Sequence, residues 1–303
     1  MPKVLNFGSL NVDYVYSVEH FIRQGETLAA SARNVFAGGK GLNQSIALAR
    51  AGADVFHAGC TGKDDGAVLI NALKTNGVNT DYITSLEGAS GHTIIQVDES
   101  GQNCILLFGG ANQAIGEAQL ESALKNFSPG DFIVLQNEIN LSAEAAKRAI
   151  KKEMRVVFNP SPANNAIKEV LNQKIDFLLL NEIEAQIISG KDDNAGFEAQ
   201  LEALVKQFPQ TTIVLTCGKH GVLCASCNNV YRHGTYDVNV VDTTAAGDTF
   251  TGFFISQIID GKNIETALRI ASLASSIAVS RAGAAASIPN LKEVLQSNLK
   301  PKA

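Results

Sequence analysis

Short apolar runs that alternate with amphipathic segments predict an α/β protein whose mostly parallel central sheet is covered by helices on both faces. Two pairs of polarity-alternating segments interrupt that rhythm and predict a separate small β-sheet flap. The apolar runs also end in polar residues, which is where ligands bind in open sheets of this kind.

The elements follow in order. Val4-Leu5-Asn6-Phe7 begins the first strand. Val12–Val18 and Thr27–Phe36 alternate in polarity and form one half of the flap. A glycine-rich turn then opens a helix over Leu42–Ala51. From Asp54 onward the candidate core strands are Val55–Ala58, Phe132–Gln136, Arg155–Phe158, Phe177–Leu180 and Ile213–Thr216. Helical patterns occupy Ser142–Lys152, Ala195–Gln207, Gly247–Ile259 and Ile264–Ser280. Thr93–Val97 and Cys104–Phe108 are the other half of the flap, joined by Asp98–Gln102, a hairpin loop with Gly101 in place.

No fixed-period repeat or linker-like tract divides the chain, so residues 1–303 read as a single domain, with flap strands drawn from about 12–36 and 93–108. Hydrophobic residues at 45% and charged residues at 18% are those of an ordinary globular protein. A net charge of −5 gives no electrostatic reason to expect nucleic acid or an anionic membrane as partner. Apolar runs stay short of the roughly 20 residues of a membrane span, and no basic region with an apolar core precedes the first strand. Five cysteines, an odd number, fit reduced thiols, and with the missing signal they predict a cytoplasmic protein. Cys224 and Cys227 form a C-x-x-C without a second pair, and they precede a turn signal, so they read as a strand end.

The most informative stretch is Asp242-Thr243-Thr244-Ala245-Ala246-Gly247-Asp248-Thr249-Phe250. Ala245, Ala246 and Gly247 make a turn with little side chain in the way, and the following helix aims its free N–H groups into it. Such a turn suits a phosphate or the charge developing on a transferring phosphoryl group. Asp248 stands inside it, where a carboxylate makes sense as the acceptor of a hydroxyl proton. Asp also caps helices, so taken alone the residue supports both readings.

The second dense motif is Ala37-Gly38-Gly39-Lys40-Gly41-Leu42-Asn43-Gln44. Lys40 and Asn43 are three apart and share one side of the first helical turn. Upstream, Asn11 and Asp13 are two apart on a strand and share one face. These groups converging on a glycine turn suit the adjacent hydroxyls of a sugar, or else form a surface turn beside a half-buried strand. Neither a P-loop nor a G-x-G-x-x-G dinucleotide fingerprint is present. Glu138, Asn159, Asn181 and Thr216 stand at or just beyond the ends of successive candidate strands.

The two glycine motifs, in this order and at this distance, resemble those of the ribokinase-like (PfkB) family of carbohydrate kinases. The likeness runs from Gly8-Ser9-Leu10-Asn11-Val12-Asp13 through Gly110-Ala111-Asn112 and Asn159-Pro160-Ser161-Pro162-Ala163 to Arg281–Ser287. It implies a three-layer sandwich with a β-sheet lid that also makes a homodimer contact. It implies an ATP-dependent kinase acting on the primary hydroxyl of a sugar, D-ribose first, with deoxyribose, fructose or a nucleoside as alternatives. A non-catalytic sugar sensor on the same scaffold is a further alternative, disfavoured by the intact Asp248 motif. Asn11, Asp13, Gly39, Lys40, Asn43 and Glu138 match the family's sugar-binding positions, and Asp248 its base, with Ala245, Ala246 and Gly247 as the anion hole. Asn181 and Glu184 match the motif tied to Mg²⁺ and the ATP phosphates, and Thr216 and Gly218 lie in the nucleotide-binding stretch. Asp242, Thr244, Ala278, Arg281, Gly283 and Ser287 match a monovalent-cation site, which implies K⁺.

Overall fold

The computed structural model describes residues 1–302. The chain begins β1 (Lys3–Phe7), β2 (Asn11–Ser17), β3 (Ala32–Gly38), α1 (Lys40–Arg50), β4 (Asp54–Gly62), α2 (Ala67–Thr75) and β5 (Asn79–Leu86). It continues with β6 (Gly91–Val97), β7 (Asn103–Phe108), α3 (Glu117–Leu124), β8 (Phe132–Leu135), α4 (Ser142–Lys151), β9 (Arg155–Phe158) and α5 (Ile167–Leu171). Next come β10 (Phe177–Asn181), α6 (Glu182–Ser189), α7 (Gly196–Gln207), β11 (Thr212–Thr216), β12 (Val222–Ser226) and β13 (Asn229–His233). Three helices close the chain: α8 (Ala246–Ile259), α9 (Ile264–Val279) and α10 (Leu291–Gln296).

Nine strands form the large sheet in the order β13-β12-β11-β10-β9-β8-β1-β4-β5. Pairing is parallel from β5 to β11 and antiparallel only at β12 and β13. Strand alternation divides each apolar run between two faces. Phe132 and Val134 of β8, with Phe177 and Leu179 of β10, pack with α1, α2, α8, α9 and α10. Ile133, Leu135, Leu178 and Leu180 pack with α3 to α7. Two cores on one sheet are the three layers, and they explain why these strands read as continuous apolar runs. Because β1 has β4 on one side and β8 on the other, the chain direction across the sheet switches there, and a crevice opens beyond the strand ends.

The lid is a four-stranded sheet in the order β3-β2-β6-β7. Its hairpin closes with the Asp98 amide on the Gln102 carbonyl at 3.0 Å and Gly101 at φ 78°. The expected strand over Thr27–Phe36 is displaced to Ala32–Gly38, because β2 supplies seven partners running from Ser17↔Ala32 to Asn11↔Gly38. Residues 27–31 lie beyond that ladder. Polarity alternation in the lid strands implies one wet face, but Ile105, Leu106, Leu107 and Phe108 of β7 are all exposed, so apolar side chains on both faces meet solvent.

Helices α2, α3, α5, α6 and α10, the edge strand β5 and the β12–β13 hairpin are additions to the elements expected from the sequence. The alternating edge strand β5 carries too many polar residues to read as core. The β12–β13 hairpin turns at Cys227 (φ 50°) and Asn228 (φ 66°), the left-handed pair of a tight hairpin turn, with Cys227 an unusual residue for it. The described cysteines are all free thiols, and no helix among the described residues is long and apolar enough to cross a membrane.

Candidate active site

Helix α8 places the anion turn. Ala245 takes a left-handed φ of 58°, and its carbonyl accepts the Thr249 amide at 2.8 Å. Ser275 of α9 donates to the Ala246 carbonyl at 3.0 Å and ties the turn to its neighbour. A Cβ on Gly247 would meet nothing within 4 Å, and its φ is not left-handed. Neither the backbone nor the packing requires glycine there, and what the missing side chain leaves is open space over the helix N-terminus. Gly252 is the opposite case, since a Cβ there would strike Ala47 at 2.4 Å. That close approach of α8 to α1 brings the start of one helix to the start of the other. As a result Asn43 Nδ2 donates to Asp248 Oδ2 at 3.1 Å and Gln44 Nε2 to Asp248 Oδ1 at 2.9 Å. Asp248 is buried, and the equally buried Asn43 Oδ1 has no partner, an acceptor suited to a ligand hydroxyl.

The sugar-side residues gather between the lid and the β1–β8 switch. Asn112 Nδ2 donates to Asn11 Oδ1 at 2.7 Å, and Thr93 Oγ1 donates to Asp13 Oδ1 at 2.6 Å. Any Cβ on Gly38 would lie 1.9 Å from Asp13 Oδ2, so the glycine makes room for that carboxylate. Burial pushes the Asp13 carboxyl up to about 6 against the pull of Thr93, with Glu138 adding repulsion. Gly39, at φ 92°, turns the chain into α1 close beside Asn11 and Ser9. Glu138 bridges the switch: its Oε2 accepts from the Ser9 hydroxyl and, at 3.0 Å, from the Lys40 amide. One of its oxygens is therefore spent on holding the glycine turn. Burial raises the Glu138 carboxyl, opposed by the Lys40 ammonium. Burial works against the Lys40 charge, but Asp248, Glu138 and Glu184 outweigh it and raise the ammonium's pKa.

On the other side of the turn lies a cavity of about 450 Å³ lined by Asn181, Thr216, Gly218, Ala246 and Gly247, with Val240, Phe250 and Val279 among its apolar walls. Asn181 and Glu184 form a capping box at the start of α6, with the Asn181 amide on Glu184 Oε2 at 2.9 Å and the Glu184 amide on Asn181 Oδ1 at 2.9 Å. Glu184 is thus engaged in the cap, and Glu182, which the sequence did not single out, lines the cavity instead. A larger groove of about 630 Å³ near α5 has Lys168 as its single charged lining residue and contains none of the motif residues.

The expected cation residues meet only in part. Asp242 Oδ1 accepts from the Thr244 amide at 2.8 Å and its hydroxyl at 2.6 Å, and Oδ2 accepts from the Gly283 amide at 2.9 Å. The carboxylate is therefore held by its own turn and by the 281–287 loop. The Ala278 carbonyl accepts the Arg281 amide at 3.0 Å, the Arg281 guanidinium pairs with Glu293, and Ser287 Oγ donates to the Ala284 carbonyl at 2.8 Å. No group of three or more His, Cys, Asp or Glu residues among the described ones is placed to hold a metal ion.

A buried carboxylate at an open helix N-terminus, with a polar pocket on one side and an apolar-walled cavity on the other, is the arrangement of a phosphoryl-transfer site. The chain matches the pfkB family carbohydrate kinases over residues 1–291 and belongs to that family of phosphotransferases acting on an alcohol group. Its similarity is to ribokinases. It is 34% identical over 304 residues to the ribokinase of Haemophilus influenzae, with 98% of each chain covered. It is 36% identical over 308 residues to that of Staphylococcus aureus, covering 97% of this chain and 99% of the relative. The ribokinase of Arabidopsis thaliana complexed with ribose and ATP superposes with a TM-score of 0.88 at 30% identity, over 97% of this chain and 98% of that one.

Proposed function

We propose that the chain transfers the γ-phosphoryl group of ATP to the primary hydroxyl of D-ribose, acting throughout its length as one kinase unit in the cytoplasm. One observation carries the reading: Asp248 and the uncovered N–H groups of α8 stand at the junction of a polar pocket and a nucleotide-sized cavity. The relatives named ribokinase support the sugar. Asn11, Asp13, Lys40 and Asn43 hold the sugar hydroxyls, Gly39 keeps the approach open, and Glu138 fixes the turn that presents Lys40. Asp248 accepts the proton of the attacking hydroxyl, while Ala245 and Gly247 offer N–H groups to the charge on the phosphoryl oxygens; the Ala246 amide, held by the Thr243 carbonyl at 3.2 Å, shapes the turn between them. The loose transition state of phosphoryl transfer demands positioning more than a strong nucleophile.

Adenine fits the walls around Val240 and Phe250, and Asn181, Thr216 and Gly218 line the route of the phosphates. Mg²⁺, when bound, neutralises phosphate charge. Glu182, which lines the cavity, and Asn181 and Glu184 of the α6 cap would be the groups that hold it. K⁺ belongs to the same proposal. Its support is local: the bond from Gly283 to Asp242 ties the 281–287 loop to the carboxylate that would face the ion, and among the described residues Asp242 Oδ2 accepts only that one donor.

ADP release measured across D-ribose, 2-deoxyribose, fructose and adenosine tests the proposal, with D-ribose giving the highest kcat/KM. Fructose or adenosine ahead of ribose contradicts the sugar assignment. Repeating the ribose reaction with chelator, and in Na⁺ in place of K⁺ at equal ionic strength, tests both ions, and undiminished rates reject them.

The lid supports a homodimer. Ile105, Leu106, Leu107 and Phe108, with Val35 and Phe36, are exposed apolar residues of a small sheet with free edges. Light scattering at micromolar concentration should give a dimer that Leu106→Asp converts to monomer. A wild-type monomer refutes the assignment.

A further inference from the structure

Gln44 lies in the first turns of α1, just after the glycine motif, and the buried amides around it form a chain with a fixed direction. Asn6, Gln44 and Gln136 are all 0% exposed. At one end, Asn6 Nδ2 donates to the Gly41 carbonyl at 2.7 Å and to Ser45 Oγ at 2.8 Å. A backbone carbonyl can only accept, so the Asn6 amide has one orientation and its Oδ1 must accept. Gln136 Nε2 donates to that oxygen at 2.9 Å and, with its other hydrogen, to Gln44 Oε1 at 2.7 Å. The Gln44 NH₂ is thereby turned the other way, onto Asp248 Oδ1 at 2.9 Å and Asn159 Oδ1 at 3.0 Å. Asn159 is anchored too, since its Nδ2 donates to the Leu179 carbonyl at 2.9 Å.

We infer that Gln44 is a positioning residue for Asp248, its amide locked in the donating orientation by Gln136 and Asn6. The inference rests on the kinase reading of Asp248 given above. Holding one donor on each carboxylate oxygen, Asn43 on Oδ2 and Gln44 on Oδ1, fixes the carboxylate plane and thus the lone pair offered to the hydroxyl. The chain is not a stability device. Gln136 Oε1 is left buried without a partner, an arrangement that an apolar residue at this strand end would avoid. A Cβ on Gly8 would strike that same oxygen at 2.4 Å, so the turn after β1 is shaped around the amide. Asn43 carries an unfilled acceptor suited to a ligand, whereas Gln44's polar atoms are all engaged with protein partners. Gln44 therefore acts through Asp248 alone, and its loss should lower kcat while sparing sugar affinity.

The test compares Gln44→Met, Gln44→Glu and the remote Gln136→Met with wild type, in ADP release and in Tm. Gln44→Met should lower kcat about 10- to 100-fold, the size expected of one charge-assisted hydrogen bond, with both KM values within about threefold. Gln44→Glu sets a carboxyl against Oδ1 and disfavours ionisation of the pair. Its kcat should fall further at neutral pH, and the acid limb of the pH profile should move upward. The other charged groups acting on Asp248, Lys40 at the start of α1 and Glu138 beyond β8, are unchanged in these variants. Gln136→Met frees the Gln44 amide to turn and should show a smaller loss with the same kcat-only signature. Folded Gln44→Met with kcat within twofold of wild type overturns the inference, as does a sugar KM that rises as much as kcat falls. Should both Gln44 variants fail to fold, an unchanged kcat in Gln136→Met overturns it. A wild type silent on every sugar overturns the kinase reading itself, a result distinct from those.

Discussion

Asp248→Asn lowers kcat on the order of 10²-fold or more while the sugar KM and Tm stay close to wild type. The substitution keeps the shape of the side chain and removes the charge and the ability to take a proton. Asn43 and Gln44 both donate to the carboxylate, so an amide at 248 satisfies one of them through its oxygen and opposes the other with its NH₂. That mismatch costs some stability at a buried position, yet far less than the loss in turnover. A variant that keeps a tenth of wild-type kcat would reduce Asp248 to a helix cap.

Asp13→Asn should give the second large effect, with two readouts of opposite sign. The folded carboxyl titrates near 6, above the ordinary value of 3.8, because burial disfavours its charge. Its contribution to stability is therefore fully present below pH 3.8 and is lost as pH rises through about 6. The gap corresponds to something on the order of 3 kcal/mol at neutral pH. Asn still accepts from Thr93 and carries no charge, so the ligand-free variant should melt a few degrees above wild type at pH 8, with the difference vanishing near pH 4. Sugar KM should meanwhile rise at least on the order of tenfold, because an ionised acceptor of sugar hydroxyls is gone. In wild type the same KM should climb as pH falls below 6. Unaltered KM together with an unaltered or lower Tm at pH 8 would contradict the role given to Asp13.

Much of this was legible in the chain itself. Runs such as Phe177–Leu180 had to be buried on both faces, which fixed a parallel sheet, and a polar residue at each strand end marked the rim that carries the candidate site. Asp13, Lys40, Asn43, Glu138 and Asp248 do converge. What short-range pattern could not carry is long-range pairing. Gln44 meets Asp248 across 204 residues, and only the close α1–α8 crossing at Gly252 makes them neighbours. Glu184 shows the reverse, since its three-residue spacing from Asn181 also fits a capping box, which is what the chain builds. Asp242 likewise spends its carboxylate on Thr244, the turn contact that sequence spacing allows.

The most direct test of the central claim is identification of the product formed from D-ribose and ATP by ³¹P and ¹³C NMR. A phosphate ester on the primary carbon, formed one for one with ADP and on the order of 10²-fold or more slowly by Asp248→Asn, is the predicted result. A phosphate on another position, or the same ester formed at an undiminished rate by the variant, would contradict it.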